Sequence, residues 1–302
     1  MHTLTTLSDR NYLDRGIALY ESLNKFQFDY RLYYLCLDDI TFDKLIEIGD
    51  PRLVPLKIRD EFLNGNKDFA TLVENNTSVP VGMPDEYYTK NNLFPGYSDF
   101  HFALGSFFTH HIMQKEEPDE VLYIDSDILF YCNPELIFDA VAGKSIGIIR
   151  HRHNRVGCIA GGYNVGIVYF RNNTTGRLCL DWWRNVVMDK SNEWFAEYGG
   201  CGDQKYLELF ESMFGDVKII DEDIGHAAPW NFSLYTYFDD DTIINWDGAI
   251  QPLVFVHFSH FNYTEDSYKV ARRGEWHMHP PAKKYYNQYF QILHSVKQRY
   301  GL

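Results

Sequence analysis

Along the first part of the chain, apolar positions change period in a regular way. Residues 3 to 8 read as a short strand, Ser8-Asp9-Arg10-Asn11 as a polar turn, and Tyr12 to Leu23 places Leu13, Ile17, Tyr20 and Leu23 at near-helical spacing. A second strand spans Arg31 to Leu37. Strand, helix and strand in this order predict a βαβ unit, hence a sheet that is at least partly parallel with a right-handed crossover. Asp43 to Ile48 predicts a short helix and Leu53 to Ile58 a third strand. From Arg59 to Pro95 the pattern weakens into Asn, Gly, Pro and charged residues. That is too long for a simple connection, so 59–95 reads as a lid or insertion, or else as a surface loop.

Tyr97 to Met113 is helical and leads into Val121-Leu-Tyr-Ile-Asp-Ser-Asp-Ile-Leu-Phe130, one hydrophobic strand with two carboxylates inside it. Beyond it the pattern predicts a helix over 135–141 that starts at Asn133-Pro134, and strands over 145–150 and 163–170. A helix over 174–188 carries the pair Trp182-Trp183, read as core, and strands follow over 217–220 and 252–258. Ala282 to Leu302 has Lys283, Lys284, Lys297 and Arg299, no acid, and an apolar side of Tyr285, Tyr286, Tyr289, Phe290 and Leu293. Such a helix can lie on an anionic membrane surface or pack as an ordinary C-terminal helix. The expected division is one α/β domain over 1–270 and this helix within 271–302.

Composition narrows the classes. The chain is 45% hydrophobic and 23% charged, as a soluble globular protein is. Its 22 Tyr and 22 Phe predict a core rich in rings, or a platform for carbohydrate. A net charge of -14 argues against nucleic-acid partners. Cys36, Cys132, Cys158, Cys179 and Cys201 are odd in number and scattered, as reduced cysteines are, with neither zinc-site nor disulfide spacing. The first residues run into a strand without a signal-like apolar stretch, so the expected location is cytoplasmic, with a peripheral contact to the inner face of the membrane if 282–302 binds lipid.

The chemistry centres on Asp125-Ser126-Asp127. Two carboxylates set in an apolar strand are expensive to ionise unless a cation neutralises them, which points to a hard divalent metal shared with substrate phosphate; the alternative is a strand-end cap. His151-Arg152-His153-Asn154-Arg155 is a basic loop in an acidic chain, suited either to a diphosphate or to the solvated surface. Gly161-Gly-Tyr-Asn-Val-Gly166 presents Asn164 at a strand start, and Gly199-Gly-Cys-Gly-Asp203-Gln204 presents Asp203 at the N-cap of a helix. His257 ends a buried strand, as a core histidine or a further metal ligand.

In chain order, Thr5-Thr6-Leu7-Ser8 before Tyr12, Tyr-Ile-Asp-Ser-Asp at 123–127, Tyr-Asn-Val-Gly at 163–166, Gly-Asp-Gln at 202–204 and Val-His-Phe at 256–258 resemble nucleotide-sugar glycosyltransferases of the GT-A fold, within them family 8 and related bacterial polysaccharide enzymes. Gly-His-Ala-Ala-Pro-Trp-Asn at 225–231 resembles the latter. The resemblance implies a Rossmann-like α/β fold, with a mostly parallel mixed sheet flanked by helices and a C-terminal helical tail. It implies that Asp125, Asp127 and His257 hold Mn2+ or Mg2+, that Thr6, Leu7, Ser8 and Tyr12 line the nucleotide pocket, and that Asn164, Asp203 and Gln204 face the transferred sugar. Asp125, Ser126 and Arg152 would meet the diphosphate. The implied partners are a nucleotide-sugar, with UDP as the nucleotide, and a glycan or lipid-linked acceptor in polysaccharide biosynthesis.

Two family features are missing. Tyr97-Ser98-Asp99 stands where the family carries an Arg, and Ser259-His260-Phe261-Asn262 where it carries Lys-Pro-Trp. Another cation must then serve the phosphates, from Arg152, Arg272 and Arg273. The transfer is retaining by resemblance, or inverting if Asp203 is a general base. A phosphohydrolase using Asp125 as nucleophile needs a Thr where Leu129 stands, and a pyrophosphorylase needs glycines that Leu7-Ser8-Asp9-Arg10 lacks. The remaining alternative is a catalytically silent carbohydrate or nucleotide-sugar binding protein of the same fold.

Overall fold

The computed structural model describes residues 1–62, 66–76, 97–152, 160–199, 202–238, 240–245, 248–270 and 280–302, with backbone alone at 76, 97–99, 280 and 281. The main sheet takes its strands from β1 (His2–Ser8), β2 (Tyr30–Cys36), β3 (Leu53–Lys57), β4 (Glu120–Ile124), β6 (Ile146–Arg150), β7 (Tyr163–Arg171) and β8 (Val217–Ile219). Their order is β3-β2-β1-β4-β7-β6-β8. All neighbours run parallel except β7, which is antiparallel to both β4 and β6. A smaller sheet joins β5 (Ile128–Phe130), β9 (Gly225–Ala227), β10 (Thr236–Tyr237), β11 (Thr242–Ile244) and β12 (Ile250–His257).

Alternation along the strands explains the layering. In β4, Val121 and Tyr123 face one core while Leu122 and Ile124 face the other, as a period of two requires when both faces of a sheet are covered. The helices Tyr97–Glu116 and Thr174–Met188 cover the first face, with Trp183 fully buried there, in agreement with the reading of the Trp pair as core. On the second face lie the helix Leu13–Leu23, the smaller sheet and the helix Pro280–Tyr300. The C-terminal helix buries Tyr285, Tyr286, Tyr289, Leu293 and Val296, and the Tyr289 ring stacks on Phe258 at 3.8 Å. Its apolar side is therefore used inside the protein, which decides for packing over a lipid-facing stripe. Lys284, Lys297 and Arg299 lie outside, beside Asp241, Tyr263 and Glu21. Among the described residues no helix is long and apolar enough to cross a membrane.

The expectation for 59–95 changes in part. Ile58–Phe62 and Lys67–Asn76 are helices that bury Phe62, Phe69 and Leu72, so this stretch begins as packed structure; 77–96 lies outside the described residues. A second correction concerns Val121–Phe130, which is not one strand. The chain leaves the main sheet after Ile124, turns through Asp125-Ser126-Asp127, and enters the smaller sheet at Ile128. The Ile128 N–H closes that turn on the Asp125 carbonyl at 3.2 Å. Carboxylates that looked embedded in a strand thus sit at the junction of two sheets, where backbone geometry opens.

Candidate active site

Three segments meet at that junction, each delivered by strand register. The Asp125 N–H donates to the Gly166 carbonyl at 2.9 Å, continuing the β4–β7 ladder. β12 runs antiparallel to β5 with His257 opposite Ile128, and the Phe258 N–H donates to the Asp127 carbonyl at 2.9 Å. His257 is thereby brought to the acidic turn from the far end of the sequence. Its Nε2 lies 3.1 Å from Asp127 Oδ1 and 3.5 Å from Asp125 Oδ2. One ligand atom from each of the three residues falls within 4.8 Å of the others.

The surrounding hydrogen bonds turn these atoms in definite directions. The Tyr123 hydroxyl donates to Asp125 Oδ1 at 2.7 Å and leaves Oδ2 on the His257 side. Asn164 Oδ1 accepts from the Gly166 N–H at 2.9 Å and faces His257 Nδ1 at 3.1 Å, while Asn164 Nδ2 donates to Gln204 Oε1 at 3.0 Å. Position 166 must be glycine for this to close: a Cβ there would stand 2.6 Å from Asn164 Oδ1 and 2.7 Å from His257 Nδ1. The Tyr-Asn-Val-Gly segment is thus explained by the close approach of histidine and amide to bare backbone.

The electrostatics follow from an excess of carboxylate. Burial, opposed by His257 and reinforced by Asp127, pushes Asp125 up to about 6. Burial also works against ionised Asp127, but the charge and hydrogen bond of His257, with Arg15 behind them, hold it below its ordinary value. Burial disfavours the cationic form of His257, and the two carboxylates outweigh it and raise its affinity for a proton. Asp203, 5% exposed, is held well above the carboxylate range by burial and then by the charge of Asp125. Two carboxylates and an imidazole nitrogen, oriented and short of positive charge, fit a divalent cation of the Mn2+ or Mg2+ kind.

Asn164, Gln204, Asp125, Asp127 and His257 form one connected set. Asp203 belongs beside it, but not as a helix cap: the short helix Lys205–Leu209 has Gln204 at its N-cap, without a side-chain cap bond. Gly202 before it has φ of +66°, the left-handed region that suits glycine. Ser126 is buried in the turn, and Tyr12 is 39% exposed with the Arg15 guanidinium over its ring. Thr6 and Ser8 are buried in β1, Ser8 bonded to the Tyr34 hydroxyl at 2.6 Å, and Leu7 joins the core against helix Tyr97–Glu116. Arg152 departs most from expectation. Its Nε donates to Asp221 Oδ2 at 2.5 Å and its Nη2 to the Asp221 carbonyl at 2.6 Å, so its charge is already neutralised inside the protein. Arg272 and Arg273, the other cations considered for the phosphates, lie outside the described residues, as do the side chains of Tyr97, Ser98 and Asp99.

Contacts of three residues were not foreseen from the sequence, although Tyr123 and His151 lie in segments already singled out there. Tyr123 could have been found, because it stands two residues before Asp125 on the same side of a strand. Arg15, one helical turn after Tyr12, bonds the carbonyls of Asn11 and Phe261 at 3.0 and 2.8 Å and lends its charge to Asp127. The contact of His151 has no local signal; only the fold brings its Nε2 to 3.3 Å from Asn164 Nδ2.

No protein-family model matches the chain. It is 26% identical over 267 residues to the uncharacterized protein YfnF of Bacillus subtilis (strain 168), covering 84% of this chain and 80% of that one. With YfnD of the same organism, also uncharacterized, it shares 23% identity over 287 residues, covering 88% and 80%. Among solved structures, the apo form of mouse xyloside xylosyltransferase 1 superposes with a TM-score of 0.54 and 14% identity, over 85% of this chain and 97% of that one. The galactosyltransferase LgtC, in complex with donor and acceptor sugar analogs, gives 0.53 and 16%, over 97% and 95%. The strand order, the acidic turn leaving the main sheet and these superpositions agree: the chain has the GT-A fold of nucleotide-sugar glycosyltransferases.

Proposed function

We propose that this protein is a metal-dependent glycosyltransferase that moves a sugar from a nucleoside-diphosphate donor, with UDP as the nucleotide, to a hydroxyl of a glycan or lipid-linked acceptor, with retention at the anomeric carbon. The observation that carries the reading is the convergence of Asp125 and Asp127 with His257, more than 120 residues away in sequence, on one point at the junction of the two sheets of a GT-A fold. The two superposed enzymes, a xylosyltransferase and a galactosyltransferase by name, lend it support.

Asp125 Oδ2, Asp127 Oδ1 and His257 Nε2 would hold the ion, and the imidazole among them suits Mn2+ better than Mg2+. Bound there, it would neutralise the charge that develops on the leaving diphosphate. Asn164 fixes Gln204 Oε1 beside the centre, where an amide oxygen can stabilise positive charge at the anomeric carbon. Asp203 favours retention over inversion. Burial raises its affinity for a proton, which suits it less to be the free carboxylate that an inverting transfer needs to take the acceptor's proton.

The test is a panel of nucleotide-sugars, scored by release of nucleoside diphosphate with Mn2+ or with chelator, on the native protein and on Asp127→Ala. Metal-dependent release lost in the variant supports the reading and names the donor. Absence of both release and metal-dependent nucleotide binding with every donor would sink it, and nucleotide-sugar binding without turnover would favour the silent binding protein.

A further inference from the structure

We infer that Phe102 is a sugar-binding residue, whose exposed ring is the platform on which the C–H face of the transferred sugar stacks. The inference rests on the glycosyltransferase reading above and adds to that site a residue and a kind of contact it did not include.

A single exposed aromatic side chain is ordinary on a protein surface, so what matters is where this one stands. Phe100, Phe107 and Phe108 of the helix Tyr97–Glu116 are buried, and the first two meet Phe69 ring to ring. Phe102 is 46% exposed and belongs to neither core. It begins a stripe at helical spacing, Phe102, Gly105, Ser106 and Thr109, whose later members lie against the strands of the site. Thr109 Oγ1 shares a hydrogen bond of 2.8 Å with Thr5 Oγ1 of β1. Gly105 meets the end of the Tyr123 ring: a Cβ there would stand 3.0 Å from Cζ and 3.2 Å from the hydroxyl oxygen that donates to Asp125. The helix ends at Glu116 and β4 begins at Glu120, so the two run antiparallel and the early turns of the helix stand level with the end of β4 that leads into Asp125. Phe102 is therefore one helical turn, about 5 Å, farther out than the Tyr123–Asp125 contact.

The ring also lies against Gly202, where a Cβ would stand 2.5 Å from Phe102 Cδ2. Gly202 leads directly into Asp203, whose carbonyl accepts from Trp183 Nε1 at 3.0 Å, so this backbone is fixed beneath the ring. Phe102 is thus flanked by the turn that carries Asp125 and by the segment that carries Asp203 and Gln204. A pyranose has hydroxyls around its rim and C–H bonds on its faces. Asp203 and Gln204 offer polar groups for the rim, and the negative face of an aromatic ring suits the polarised C–H bonds. The sugar reached first from a diphosphate held at Asp125 and Asp127 is the one being transferred, and an offset of one helical turn matches a single sugar unit. Such stacking acts on the sugar alone, so the ring contributes affinity for the nucleotide-sugar and none for the nucleotide.

The test titrates the native protein, Phe102→Ala, Phe102→Leu and Phe102→Tyr, with Mn2+ present, using two probes: the nucleotide-sugar that the donor panel selects and its nucleoside diphosphate alone. Loss of the ring in the Ala and Leu variants is expected to weaken the nucleotide-sugar by about 3- to 10-fold and to leave the nucleoside diphosphate within about twofold of native, whereas Phe102→Tyr keeps both within about twofold. A readout that a merely structural role would not move is NMR saturation transfer from aromatic protons to the sugar C–H protons, expected in the native and Tyr proteins and diminished in Phe102→Leu. Unchanged nucleotide-sugar affinity, equal weakening of both probes, or undiminished saturation transfer in a folded Phe102→Leu protein overturns the proposal. Should Phe102→Ala fail to fold, Phe102→Leu decides in the same way, because it keeps the apolar bulk and lacks only the ring. A native chain that binds neither probe with Mn2+ would defeat the glycosyltransferase reading itself, a result distinct from native binding that survives loss of the ring.

Discussion

Two sets of buried acid, Asp221 beneath Arg152 and the carboxylates of Asp125, Asp127 and Asp203 at the junction of the sheets, differ in charge balance. Asp221 is inaccessible to solvent and closed: Arg152 gives it a charged hydrogen bond at 2.5 Å, and the Arg150 N–H a second bond at 2.8 Å. The Arg152 guanidinium neutralises it, and that of Arg150, itself paired to Glu222, lies 3.9 Å away. At the junction of the sheets, Asp125 and Asp127 share the His257 imidazole, with Arg15 adding charge only at Asp127, and Asp203 faces the charge of Asp125. The difference teaches that burial of a carboxylate does not mark a site; burial without sufficient compensating charge does, because that is where a cation from outside lowers the free energy most.

Breaking each group should therefore have opposite consequences. Asp221→Ala leaves the Arg152 guanidinium buried and unpaired, and the expected loss is about 3–5 kcal/mol of folding stability in denaturant unfolding. A loss below about 1 kcal/mol would mean that the pair is not closed as described. Asp127→Asn removes charge from the overloaded group and keeps the shape. Metal-free stability should stay within about 1 kcal/mol of native, while release of nucleoside diphosphate falls by roughly 100-fold or more. Native protein at a hundredfold excess of Mn2+ over its dissociation constant should gain about 2.7 kcal/mol, and the variant should gain nothing measurable. An equal gain in both would show the ion binding elsewhere.

That contrast also sets what the sequence could disclose. The strands β1, β2, β3, β7 and β12 were legible within a residue or two because each is an apolar run of strand length bounded by polar turns, and the helices Leu13–Leu23 and Thr174–Met188 because one face repeats at helical period. Asp125, Asp127 and His257, whose ligand atoms the fold brings within 4.8 Å of one another, were legible as motifs in order. Invisible were the short strands β9, β10 and β11, whose two or three residues carry no period, and the break at Asp125, where apolar residues on both sides disguise a change of sheet. The fate of Arg152 was hidden for a different reason. Its partner lies 69 residues away, and pairing between distant charges is a property of the fold alone. Asp203 looked like a cap because Asp is a common cap; its burial and lost solvation appear only once Trp183 and the Lys205–Leu209 turn are packed around it.

Asp203 gives the smallest effect and the sharpest test of the open group. Its folded form holds a proton well above the pH at which the unfolded chain releases it, so between those two points the native state binds one more proton than the unfolded state. Stability from this residue is full below the unfolded carboxylate pKa and declines as pH rises, by up to about 1.4 kcal/mol per pH unit. Asp203→Asn mimics the protonated form and lacks that slope. His110 and His226, held down near 4 by burial, titrate alike in both proteins and cancel in the difference. Metal-free native and variant should therefore match at pH 4 and diverge toward pH 8 in the variant's favour; parallel curves would place a charged Asp203 in the fold. The same variant reads the mechanism. If the neutral carboxyl only donates a hydrogen bond, an amide keeps turnover within about tenfold, whereas a loss of roughly 100- to 10,000-fold would mark Asp203 as a general base and the native transfer as inverting.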